Sequence, residues 1–168
     1  MEKMLLSLFL IGSLLQVSLV AQQQTGARVS RVLIKAGRLV DVRAGRVLQN
    51  QGILIENDRI LRVGPLAEIE RAASQDARVI DLSHTTVMPG LSDCHVHILL
   101  QGDVTSADYD EQLLRESIPY RAIRATVSVR NALMNGFTAM RDLGTEGAMY
   151  ADVDVKTPIA RGVIPGPR

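Results

Sequence analysis

Residues 87–97 constrain this chain more than any other stretch: they read Val-Met-Pro-Gly-Leu-Ser-Asp-Cys-His-Val-His. The Pro-Gly pair breaks the preceding segment and turns the backbone, and an apolar residue follows at once. Side chains alternate across an extended strand, so Asp93, His95 and His97 share one face and Cys94 takes the other. A strand must therefore start just after Gly90 and carry two imidazoles to one side. Two imidazoles side by side on a rigid backbone can share one transition-metal ion. The same pattern also arises where polar residues at a strand end face solvent or are satisfied in a core. The spacing alone leaves both readings open.

Upstream, residues 29–87 carry short apolar runs: Val32 to Ile34, Arg38 to Val40, Gly52 to Ile55, Arg59 to Val63 and Arg78 to Leu82. Gly, Asn or Asp separates most of them, which is the punctuation of short strands. Asn57-Asp58 favours a tight hairpin because both residues tolerate positive φ. Gly64-Pro65 stops that hairpin, and Leu66 to Ala73 reads as one or two turns of helix. These features predict a small β-sandwich. His84 falls in the turn leading to the histidine strand and is given no functional role.

Downstream, residues 98–110 look irregular and acidic, with Asp103, Asp108 and Asp110. Pro119 suits the first turn of a helix running to about Asn135, with Ala122, Ala125, Val129, Ala132 and Leu133 on its packed face. Gly136 should close that helix in a left-handed cap. Phe137 to Asp142 reads as the next strand, and a second crossover helix should lie between Gly144 and Gly162. Strand, helix, strand in this order implies parallel pairing with a right-handed crossover.

The charges nearly balance, with Lys+Arg 19 against Asp+Glu 18 and a net charge of +1. No basic block is present, so nothing points to nucleic acid. Trp is absent and Phe and Tyr number two and three, so the core must be aliphatic. At the amino terminus Lys3 precedes an apolar run from Met4 to Val20, then Ala21 and three glutamines. This resembles a secretory signal peptide over 1–21 followed by a polar, disordered linker over 22–28. A retained anchor is the competing reading. Glutamines with no positive charge flank the run poorly as a stop-transfer signal, so a secreted or periplasmic protein without stable membrane insertion is expected. Cys94, the single cysteine, has no internal partner and is expected to be a buried packing thiol.

Met-Pro-Gly-Leu-Ser-Asp-Cys-His-Val-His (88–97) resembles the first barrel strand of the amidohydrolase superfamily, usually written Pro-Gly-hydrophobic-x-Asp-x-His-x-His. Asn-Gly-Phe-Thr-Ala-Met-Arg-Asp-Leu-Gly (135–144) resembles that family's second strand, and 159–168 the approach to its third. Together they are most similar to the imidazolonepropionase and Xaa-Pro dipeptidase branch. The resemblance implies an α/β plus β chain: a composite β-domain over 29–87, then over 88–168 the first strands and helices of an incomplete (β/α)8 TIM-type barrel. It implies His95 and His97 as ligands to one or two divalent metal ions, usually zinc. Asp93, Arg141 and Asp142 are candidates to support them, an internal Arg141–Asp142 pair being an equal reading. The family's remaining ligands and its proton-accepting aspartate come from later strands, so no catalytic residue is assigned. A complete barrel takes about 250 residues, and Met88 to Arg168 suffices for two strands and the start of a third. An amino-terminal fragment, inactive alone, is the expectation. The implied activity is metal-assisted hydrolysis of C–N bonds in small-molecule or dipeptide-like substrates, with oligomeric state left open. The alternative is a non-catalytic exported β-module with a remnant barrel segment.

Overall fold

The computed structural model describes residues 29–102 and 105–168. The signal (1–21) and linker (22–28) readings, and Asp103, lie outside the described residues. The chain divides into two compact units between Val87 and Met88.

The first unit is one sheet. Strands β1 (Arg31–Asp41), β2 (Arg46–Glu56) and β3 (Arg59–Pro65) are followed by helix α1 (Leu66–Ala72) and strand β4 (Arg78–Val87). The sheet order is β3-β2-β1-β4, with β1/β2 and β2/β3 antiparallel and β1/β4 parallel. Local chemistry sets both hairpins. Asp41 Oδ1 accepts from the amides of Arg43 and Ala44 at 3.1 Å each, and Gly45 supplies a φ of 62°. Asn57 takes φ 55° in the second turn. The parallel partner β4 needs a crossover, and α1 provides it. Its Ile69 packs with Leu33 and Leu54 as a small buried cluster. A Cβ on Gly52 would stand 2.7 Å from Ile69 Cβ, so the helix can settle this close only over a glycine.

The expected sandwich is not formed within the described residues of this unit, which make a single layer. Val32 to Ile34 and Arg38 to Val40 are not separate strands but one, continuous through Gly37 with a shift of register against β4. Fewer, longer strands lie side by side instead of folding over one another. His84 likewise sits inside β4, exposed, not in a turn.

The second unit holds β5 (Leu91–Val96), α2 (Ser106–Leu114), α3 (Ile118–Met134), β6 (Phe137–Asp142) and α4 (Ala151–Ala160). β5 and β6 pair in parallel from Leu91↔Phe137 to Val96↔Asp142. Gly90 is required where the chain enters β5, because a Cβ there would meet Thr138 Oγ1 at 2.2 Å. Ser117 caps α3 by accepting from the Tyr120 amide, Pro119 lies in its first turn, and Gly136 follows its end at φ 92°. Ala125 and Val129 on α3 pack with Leu99, Ala148, Ala151 and Val155 in the core. Arg168 donates its amide to Thr138 O and accepts from Met140 N, both at 2.9 Å, the pattern of a strand beginning on the far edge of β6.

The span 98–110 is less irregular than its composition suggests. Thr105 and Asp108 form a reciprocal capping box, and α2 starts at Ser106. Asp108 is thereby used as a helix cap, a Thr-x-x-Asp signal that the acidic character of the stretch obscures.

Candidate metal centre

The strand geometry brings His95 and His97 together: their ring centroids lie 5.4 Å apart at an interplanar angle of 65°. His95 is exposed, and the His97 side chain is about one-third exposed. His97 Nδ1 stands 3.0 Å from Gly144 O and 3.3 Å from Glu146 Oε1. A carbonyl oxygen can only accept, so Nδ1 must carry the proton in that bond. The Nε2 lone pair is then free to bind a cation. That donor set fits half of a divalent-metal site. Among the described residues no group of three or more His, Cys, Asp or Glu side chains converges as a metal cage.

The candidate supporting residues divide in their contacts. Asp93 turns back on its own strand, its Oδ1 accepting from the His95 amide at 3.0 Å. It holds the backbone that carries the imidazole, not the ring. Asp142 bridges two loops: Oδ2 accepts from Ile98 N at 3.0 Å and Oδ1 from Gly144 N at 2.9 Å. One of those amides follows His97 directly and the other belongs to the residue whose carbonyl meets its ring. Both oxygens of Asp142 are thus committed to backbone, and no ion pair joins it to Arg141. Arg141 instead lines a cavity of about 400 Å³ with Asp152, Lys156 and Arg168. Cys94, expected as a buried packing thiol, is exposed. The packed core takes in Ile98 and Leu99 further along the chain and leaves the thiol uncovered.

Three residues around His97 went unnoticed in the sequence. Glu146 contacts the ring, and Tyr109 Oη donates to Glu146 Oε2 at 2.6 Å. That bond, more than burial or nearby charge, holds the Tyr109 phenol above its ordinary pKa. Arg121, 1 % exposed, donates to the carbonyls of Leu99, Glu146 and Thr145 at 3.2, 2.9 and 3.1 Å. Glu146 was open to discovery, since it lies in the loop after a parallel strand, where such folds place their chemistry. Arg121 gives no such signal within an otherwise ordinary helix.

No family model matches the chain. An imidazolonepropionase from Micrococcus luteus is 34% identical over 88 residues, covering 52% of this chain and 21% of that protein. A dihydroorotase from Lactococcus lactis subsp. lactis is 47% identical over 68 residues, covering 39% of this chain and 14% of that protein. Among solved structures, a Xaa-Pro dipeptidase with bound methionine in its active site superposes with a TM-score of 0.69 at 28% identity, covering 83% of this chain and 32% of that one. In its mixed α/β architecture, its parallel β5–β6 pair and these likenesses, the chain is similar to proteins of the amidohydrolase superfamily over the part of them it spans. It spans about a fifth of the length of the first curated relatives it matches, and about a third of the solved ones.

Proposed function

We propose that this chain carries the first metal-binding element of a metal-dependent amidohydrolase that hydrolyses C–N bonds, with His95 and His97 binding a divalent cation, zinc by donor type. One observation carries the reading: His97 is held through Nδ1 on Gly144 O, with Nε2 left available beside the His95 ring. A bound divalent ion would acidify water toward neutrality and polarise the scissile carbonyl. The chain's own part is to fix two nitrogens before the ion arrives, using the β5 backbone, Asp93 and Asp142. Two imidazoles fall one short of the three protein ligands of a catalytic zinc site. The 168-residue chain alone is therefore inactive in this reading, and further ligands and the proton acceptor come from later strands of an incomplete (β/α)8 barrel. Peptide-like substrates fit best, dipeptides ending in proline or N-acylated amino acids, by likeness to the dipeptidase structure. Export and removal of the leader near Ala21 would put the protein in the periplasm or outside the cell.

Zinc titration of the full chain against the His95→Ala/His97→Ala double variant tests the site. The wild-type chain should bind one equivalent that the variant loses. Equal zinc uptake by both would remove the assignment.

A further inference from the structure

The loop after β6 is built in a costly way. Glu146 adopts φ 49° and Met149 φ 55°, left-handed conformations uncommon for any residue but glycine, with Gly147 between them at 77°. Such conformations persist only where surroundings over-determine them, and they gather at functional sites. The over-determination here is visible. Arg121 reaches from α3 and binds the carbonyls of Thr145 and Glu146, and its Nε takes Leu99 O two residues beyond His97. One buried guanidinium thus ties the loop after β5 to the loop after β6. The Glu146 carboxylate that results is fixed from both sides, by Tyr109 Oη at 2.6 Å and by His97 Nδ1 at 3.3 Å.

We propose that Glu146 is a positioning residue for His97, held by Tyr109 and by the Arg121 clamp, that locks the imidazole as its Nδ1–H tautomer and strengthens Nε2 as a donor. Gly144 O alone could orient the ring, but a neutral carbonyl adds little negative field. A carboxylate 3.3 Å from the same nitrogen places negative charge beside the N–H and favours the electron-rich ring that a cation binds best. At 26% exposure, the Glu146 side chain is shielded enough for that field to act. Neither Gln112 nor Asp108 competes for it: Gln112 is engaged with Gln101, and Asp108 caps α2. The donor-strengthening part rests on the metal reading above. The tautomer part does not.

Nitrogen-15 NMR of the histidine rings in the metal-free full chain reads the tautomer, and zinc competition against a chromophoric chelator reads the donor. Wild-type His97 should be predominantly protonated on Nδ1. Glu146→Ala should move His97 toward a mixed tautomer while His95 stays as it was, and should weaken zinc binding roughly ten- to a hundredfold. Glu146→Gln, which keeps an acceptor without the charge, should hold the tautomer and lose part of the affinity. Tyr109→Phe frees one side of the carboxylate and should act in the same direction, more weakly. It also serves where the alanine variant does not fold. His97 protonated on Nε2 in the wild type, or Glu146 variants with unchanged tautomer and unchanged zinc affinity, would overturn the proposal. A tautomer shift in a chain that never binds zinc would defeat the metal reading and leave the positioning role standing.

Discussion

The two units differ in what their polar side chains do. In the first, backbone ladders carry the structure; the ion pair Arg31–Glu56 joins strands already paired, and Lys35–Glu70 joins β1 to α1. In the second, polar side chains reach into loop backbone. Asp142 binds two amides, Arg121 three carbonyls, the Gln112 side chain both backbone groups of Gln101, and the Gln101 side chain the carbonyl of Ile98. A hairpin sheet satisfies its backbone by pairing. Two parallel strands leave long loops whose amides and carbonyls need other partners. Those partners are what place His97. The candidate site thus lies where side chains satisfy long loops, whereas in the first unit side chains such as Asp41 satisfy only the amides of tight turns.

The sharpest way to break this comparison is Arg121→Met, which keeps the aliphatic stem and removes the donor. Three loop carbonyls would lose their partner, at about 1–3 kcal/mol for each that water cannot reach. We expect a loss of about 3–5 kcal/mol in denaturant unfolding, confined to the second unit. Hydrogen exchange should quicken at 98–101 and 143–148 while the β1–β2 ladder keeps its protection. Equal loss of protection in both units would mean the side-chain bonds are not where the second unit's stability resides. Ile69→Ala probes the other side with a smaller effect. Ile69 is 1 % exposed and packs on only a small cluster, and the short helix can settle toward Gly52. A loss of about 2–3 kcal/mol is expected, at the low end for a buried isoleucine. It should register in the first unit with the His97 resonances unmoved. Collapse of the ring geometry in this variant would show that the sheet does shape the site.

The same contrast explains what could be read from the sequence. Turn residues announce themselves, so the Asn57 hairpin, the Gly136 cap and the helix opening at Pro119 were legible. The histidine pair was legible because a period of two fixes facing without reference to anything distant. The one-layer sheet was not, since Gly37 reads locally as a strand break, and only pairing with β2, in unbroken register from Ala36 to Arg38, carries the strand through it. Glu146, Tyr109 and Arg121 were hidden for a related reason. Their partners lie 22 to 49 residues away in the chain, and no local pattern records a contact made across a crossover. The exposure of Cys94 was missed because alternation predicts the face a side chain takes but not whether anything covers it.

The smallest expected effect sharpens the comparison at a single proton. Tyr109 donates to Glu146 Oε2, and that bond first, then burial and the carboxylate's charge, raise the phenol above its usual value of about 10. The folded state therefore holds this proton more tightly than the unfolded chain does. The corresponding stability is fully present below the ordinary tyrosine range and is lost as pH rises through the raised value. In a residue-resolved NMR titration of the full chain, Tyr109 should ionise above the ordinary tyrosine value, and Glu146→Ala should bring it down toward that value. If Tyr109 already ionises at the ordinary tyrosine value in the wild-type protein, the carboxylate is not held against it in solution. The polar bonding that sets the second unit apart would then stop at the backbone and not extend to the side chains around His97.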